Sequence, residues 1–220
     1  MSVTIAAQSV PDQDHIVQLK VSWSLYNALV EELGDDSHAR LTYDGETLEI
    51  MSPGSKHELI ANIISDMITT LSLEWSVDLT NFGSTTFRTE PRGFEADKSY
   101  YLDARRRIRD MENIDLSIDP PPDLVVEVDI SSDSKQRLMT YAALRVPEVW
   151  RYNRSSFTVL TLIDGNYIEA TASRIASGLP AREIAQRIEI GYQTKSETTL
   201  AIRAKWQQWL RENRHLHDSA

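Results

Sequence analysis

The chain has 220 residues, 41% of them hydrophobic and 25% charged, with no cysteine and a formal net charge of −10. These totals exclude a disordered or collagen-like chain, disulfides, cysteine-ligated zinc, iron–sulfur clusters and a thiol nucleophile. They also exclude a large uniformly basic nucleic-acid surface, because binding phosphate needs clustered Lys and Arg.

The charge is unevenly placed. Residues 1–80 hold 3 basic and 13 acidic side chains while residues 81–220 hold 20 of each, so the whole excess lies in the first third. No apolar run exceeds four residues, Tyr141 to Leu144, so nothing here is expected to span a membrane. The first fifteen residues carry Asp12 and Asp14 and no Lys or Arg, unlike a signal peptide. A cytoplasmic protein is expected.

Residues 1–18 read as a loose arm. Ser22 or Ser24 opens a short helix to about Leu33, stopped by Gly34. A hairpin follows, Leu41–Tyr43 and Thr47–Met51 around Asp44-Gly45, a strong turn signal. Ser55 is placed to cap a helix over about 57–73, where Leu59, Ile60, Ile63, Ile64, Met67, Ile68 and Leu71 repeat at three and four. Short β-type stretches come next at 77–82, 85–88 and 98–102, and the basic stretch Arg105 to Arg109 sits in or beside a loop or short helix.

Pro120, Pro121 and Pro122 lead stiffly into Leu124–Val128, a run apolar enough to be covered on both faces. Ser131-Ser132-Asp133 offers a helix N-cap, with the helix running to about Leu144. Strand residues 149–152 precede a second hairpin, 157–163 and 167–170 around Asp164-Gly165. Helices of about 180–189 and 197–212 close the chain. The expected class is mixed α and β: a central mixed sheet flanked by helices, with hairpin additions and C-terminal helices. The expected division is an arm over 1–18, a main domain over 19–170 and a helical appendage over 171–220. In that appendage Trp206 and Trp209 are spaced to pack on the core or on a second subunit.

Several chemistries lack their motif. His57-Glu58 opens like a zinc-protease helix, but position 61 is Ala where the second histidine would stand. Neither a phosphate loop nor a dinucleotide fingerprint is present, and a serine–histidine–acid triad is without its G-x-S-x-G elbow. The sequence Asp123-Leu-Val-Val-Glu127-Val-Asp129 is different. With a period of two, Leu124, Val126 and Val128 face one side while Asp123, Val125, Glu127 and Asp129 face the other. Such a strand is either an edge with a solvated acidic face or a central strand whose acids need a cation, a hydrogen-bond network or water. Glu58, in the first helical turn, and Asp97, just before Tyr100-Tyr101, are further acids at the ends of their elements. Carboxylates converging from separate elements are what Mg²⁺ takes.

The stretch PPDLVVEVDISSDSKQRLMTYAALRVPEVWRY resembles the signature of the Uma-two family, bacterial proteins with a restriction-endonuclease-like fold of the PD-(D/E)xK nuclease superfamily. MSPGSKHELI and GFEADKSYYL look like further landmarks, and the likeness covers roughly residues 20–165. The resemblance implies a restriction-endonuclease-like core and an endonuclease that hydrolyses phosphodiester bonds, in DNA, with Mg²⁺ or Mn²⁺. It assigns Glu58, Asp97 and Glu127 as metal ligands and catalytic acids. The family's lysine, four residues before the tyrosine, is Arg137 here, with Lys135 the nearest lysine about 200° around the helix. Arginine keeps its charge but is a poor proton acceptor. Ala96 stands where proline is usual and Arg145 where glycine is usual.

Arg105, Arg106, Arg107 and Arg109 are candidates for contacting phosphate; residues 88–109 hold seven basic and four acidic side chains. A solvated face is the plainer reading of that stretch. The expected partners are DNA and a second copy of the chain. The alternative function is a nuclease fold without catalysis, serving as a binding or interaction module.

Overall fold

The computed structural model describes residues 13–34, 37–110, 112, 114–130, 135–153, 156–176, 178–193 and 197–218. The first half comprises β1 (His15–Lys20), α1 (Trp23–Leu33), β2 (Arg40–Tyr43), β3 (Thr47–Ser52) and α2 (Ser55–Trp75). β4 (Leu79–Gly83), β5 (Thr86–Thr89), β6 (Arg92–Glu95), β7 (Lys98–Leu102) and α3 (Ala104–Arg107) follow. The second half comprises β8 (Leu124–Asp129), α4 (Lys135–Ala143), β9 (Glu148–Asn153), β10 (Ser156–Ile163) and β11 (Asn166–Ala170). Helices α5 (Ala181–Gln193), α6 (Thr199–Glu212) and α7 (His215–Asp218) complete it.

The expected central mixed sheet is one of two sheets. One is antiparallel throughout, in the order β1-β3-β2-β6-β5; the other runs β11-β10-β9-β8-β7-β4. Within the second, β8 and β9 are parallel, joined through α4 as a parallel pair requires. Every residue of β8 is buried, and its two faces divide as the period of two predicts. Leu124, Val126 and Val128 pack with α2, α5 and α6, whereas Val125 packs with Phe87, Phe94, Tyr101 and Tyr141 between the sheets. β8 is therefore a central strand.

Helix α2 forms because its apolar residues make one stripe, and Ile60, Ile64, Met67, Ile68, Leu71 and Trp75 are all buried. At about 1.5–3 kcal/mol for each large apolar side chain, this face is the main adhesive of the second sheet. Its N-cap is Gly54, with Ser55 already inside the helix, which corrects the expected role of Ser55. The cap expected at Ser131–Asp133 lies outside the described residues. Ser22 does cap α1, its hydroxyl accepting from the Leu25 N–H at 3.3 Å.

The elements that escape the sequence reading include β1 and β6. His15–Lys20, assigned in part to the loose arm, pairs residue for residue with β3. β6 contains Gly93, whose missing side chain admits the Tyr26 ring of α1: a Cβ there would lie 2.2 Å from the phenol oxygen. At the C-terminal end, indole N–H groups fasten α6 to α2. Trp206 donates to the Met67 carbonyl at 3.0 Å, and Trp75 donates to the Leu210 carbonyl at 2.9 Å. The aromatic stripe of α6 thus packs on its own chain. Buried Glu148 ties the segment after β11 to β9, accepting from Ser173 Oγ, the Arg174 N–H and the Trp150 indole.

Candidate functional site

Strand β8 carries its acids into the space between the sheets, where α4 crosses. Glu127 and Asp129 are 1% and 0% exposed. Carboxylates this deep need partners, and α4 supplies one from its first turns. Arg137, 3% exposed, spreads its guanidinium across three acids. Its Nε donates to Glu127 Oε2 at 2.8 Å, Nη1 to Glu49 Oε1 at 2.6 Å and Nη2 to Asp129 Oδ1 at 3.0 Å. The remaining oxygens are also taken. Tyr141 Oη, one helical turn after Arg137, donates to Glu127 Oε1 at 2.5 Å. Arg151 Nε, opposite Glu127 on β9, donates to Asp129 Oδ2 at 2.7 Å.

Asp97 sits just before β7 at the same end of the sheet. Its Oδ2 accepts the Val128 N–H at 2.8 Å, continuing the ladder where β7 has not begun. Its Oδ1 lies 2.8 Å from His57 Nε2, and Asp14 Oδ1 lies 3.1 Å from His57 Nδ1. At these separations each carboxylate pairs with one ring nitrogen. The ring is buried between two acids. Burial alone would lower its pKa, but Asp97 and Asp14 outweigh burial and push it up to about 10, so His57 is an imidazolium.

Glu127 responds in the opposite sense. Desolvation, only partly offset by Arg137, pushes its pKa up to about 7. Asp97 is held below the usual carboxylate range: burial opposes this, but His57 and then Arg137 outweigh it.

The sequence-predicted residues therefore separate. Asp97, Glu127 and Arg137 come together. Glu58 does not join them: its side chain is 39% exposed and pairs with Arg40 Nη2 at 3.3 Å. Lys135 begins α4 on the exposed side, so Arg137 is the cation at the acids. In the basic stretch Arg105, Arg106 and Arg109 are exposed, while Arg107 Nη1 pairs with Asp123 Oδ2 at 2.5 Å. Asp123, the first of the four-position face, is thus at the opposite end of β8 from the centre.

A divalent ion is implied by the family resemblance, and the donor set can be tested against it. Glu49, Asp97, Glu127 and Asp129 are hard oxygen donors of the right kind. As arranged they do not fit. Both oxygens of Asp97, Glu127 and Asp129 already face protein donors, and among the described residues no group of three or more acids and histidines has metal-holding geometry.

Sequence reasoning missed Glu49, His57, Tyr141, Arg151 and Asp14 as members of this centre. Glu49 had a signal: it is a lone acid in the alternating strand Leu48-Glu49-Ile50, the same pattern that marked Glu127. His57 was set aside with the failed zinc motif.

Comparison with known proteins agrees with this architecture. The solved structures similar to the chain include one described as a putative nuclease belonging to DUF820 from Anabaena variabilis ATCC 29413. It has a TM-score of 0.52 and 14% identity over 74% of this chain and 98% of that one, a likeness of fold. No curated protein matches. The family model Uma2, described as "Putative restriction endonuclease", matches residues 23–190, which include both sheets apart from β1 and every member of the acidic centre except Asp14. The chain belongs to the Uma2 family, with a restriction-endonuclease-like fold.

Proposed function

We propose that this chain uses the nuclease fold to bind nucleic acid, DNA in the first instance, through a centre closed by its own cations instead of hydrolysing phosphodiester bonds with a bound metal. One observation carries the reading: the Arg137 guanidinium fills the space among Glu49, Glu127 and Asp129. Arginine there offsets part of the acids' charge and cannot take a proton from water. The centre is also sealed, with Asp97, Glu127, Asp129 and Arg137 all at most 3% exposed, so a phosphodiester has no path to them. Phosphate contact would fall to exposed Arg105, Arg106 and Arg109, beside the strand that follows Asp97.

A different observation favours metal-dependent hydrolysis. Asp14, Glu49, Asp97, Glu127 and Asp129 bring five carboxylates to the centre, and Arg137, Arg151 and His57 three cations. That excess helps keep the Glu127 pKa high, and a divalent cation would relieve it. In this reading Asp97 and Glu127 would hold Mg²⁺ or Mn²⁺ only with the Arg137 guanidinium drawn back from Glu127, leaving Arg137 or Lys135 as the cationic helper.

The two are separated by incubating plasmid and single-stranded DNA with Mg²⁺ or Mn²⁺ and the wild type or Glu127→Ala, alongside a gel-shift titration. The binding reading expects no cleavage dependent on Glu127. It also expects DNA affinity that falls about tenfold or more when Arg105, Arg106 and Arg109 are all replaced by Ala, and falls with salt. Metal-dependent cleavage by the wild type, lost in Glu127→Ala, would establish hydrolysis.

A further inference from the structure

Helices α2, α5 and α6 do not close on one another along their whole length. They leave an open groove of about 280 Å³ whose lining includes none of the acidic centre's residues. Its apolar walls are Leu59, Ile63 and Met67 of α2 with Ile202 and Trp206 of α6. Gly191 of α5 lets that helix approach: a Cβ there would lie 3.1 Å from Ile63 Cγ2. Leu59 is half exposed at the margin, so the groove is open to solvent on one side.

Three charged side chains line it, and two of them cancel. Arg203 Nε donates to Asp66 Oδ2 at 3.1 Å, and its Nη2 pairs with the same oxygen. Arg187 of α5 has no such partner. Its Nε is buried without an acceptor, and among the described residues no carboxylate forms an ion pair with it. The groove therefore presents apolar walls and one uncompensated positive charge. A buried donor left without an acceptor is a standing cost that any ligand supplying one removes. Guanidinium, with its fork of N–H groups, pairs with a carboxylate through two parallel bonds.

We propose that this groove binds a small amphiphilic carboxylate, a medium-chain fatty acid, with the carboxylate on Arg187 and the alkyl chain along Ile63, Met67 and Ile202. A neutral apolar molecule would leave the Arg187 Nε unsatisfied, and a cation would be repelled. The volume lies just below the usual range for small-molecule sites, which limits the chain to medium length.

The test titrates octanoate and 1-octanol into the full chain and follows the assigned methyl resonances of Ile63, Met67 and Ile202. Octanoate is expected to shift these methyls and to bind about tenfold or more tightly than 1-octanol. Arg187→Gln is expected to weaken octanoate about tenfold, a difference of about 1.4 kcal/mol, while leaving 1-octanol unchanged. Ile202→Phe, which fills the groove and keeps the charge, is expected to weaken both. Equal affinity for the acid and the alcohol, undiminished octanoate binding by Arg187→Gln, or no response of these methyls to octanoate would overturn the proposal.

Discussion

Arg137 is held by three acids at once, and removing it leaves charges that nothing else can meet. Asp129 keeps Arg151, but Glu127 and Glu49 lose their only cation among the pairs described. Arg137→Met is expected to cost about 3–5 kcal/mol, the range for breaking a buried ion pair from one side, measured by urea denaturation. Arg137→Lys keeps the charge but loses the fork, and is expected to fall between the two. A Met variant as stable as the wild type would mean that the acids are protonated or solvated. His57 adds a pH dependence. Its folded pKa, about 10, lies above the ordinary histidine value of 6.5. Its contribution is therefore complete below about pH 6.5 and is lost as pH rises through 10. Glu127, with a folded pKa of about 7 against 4.5, acts in the same direction at lower pH. Asp97 is shifted down, so its contribution disappears only in acid. Denaturation midpoints are expected to be higher at pH 6 than at pH 9, and His57→Gln should remove most of the decline above pH 7. An equal decline in that variant would assign the effect to other groups.

At the scale of elements, α4 shows how a departure from the family pattern is accommodated. Two residues past its end stands Arg145, whose φ is 61°, in the left-handed region, while the Val146 N–H bonds back to the Tyr141 carbonyl at 3.0 Å. That is the position glycine favours at a helix C-terminus, which accounts physically for the glycine usual there in the family. Arg145→Gly is expected to stabilise the chain by about 1 kcal/mol, read as a higher urea midpoint; a lower one would show that the Arg145 side chain contributes more than its backbone costs. The same helix marks what was legible in the sequence. The period of two in Leu124–Asp129 put the acids on one face, the apolar run Leu124–Val128 announced a strand covered on both sides, and Asp44-Gly45 and Asp164-Gly165 announced both hairpins. β1 was not legible, because its residues lie on an exposed edge and carry no alternating pattern. β6 was hidden for another reason: Arg92-Gly-Phe-Glu has low strand propensity and is held by its neighbours and by Tyr26 against Gly93.

For the whole molecule, the two sheets with α4 between them explain why the site was only half readable. Asp97, Glu127 and Arg137 lie on elements that meet at one end of the six-stranded sheet, and the resemblance named all three. Glu49, Arg151 and Asp14 come from a different sheet, the neighbouring strand and the segment before β1, so only tertiary packing brings them in. Glu58 was misplaced for a geometric reason: adjacent helical residues point about 100° apart, so with His57 turned inward to Asp97, Glu58 is directed to the surface and Arg40. The net charge of −10 says little about the partner, since much of the acid nearest the centre is neutralised internally. Among the described residues no helix is long and apolar enough to cross a membrane. Whether Arg137 takes the place of a metal ion is decided by titrating Mn²⁺ into the protein and measuring free ion by electron paramagnetic resonance, for the wild type, Glu127→Gln and Arg137→Lys. With the guanidinium in that place, the wild type takes up no more Mn²⁺ than Glu127→Gln. One equivalent bound by the wild type and lost in Glu127→Gln would contradict it.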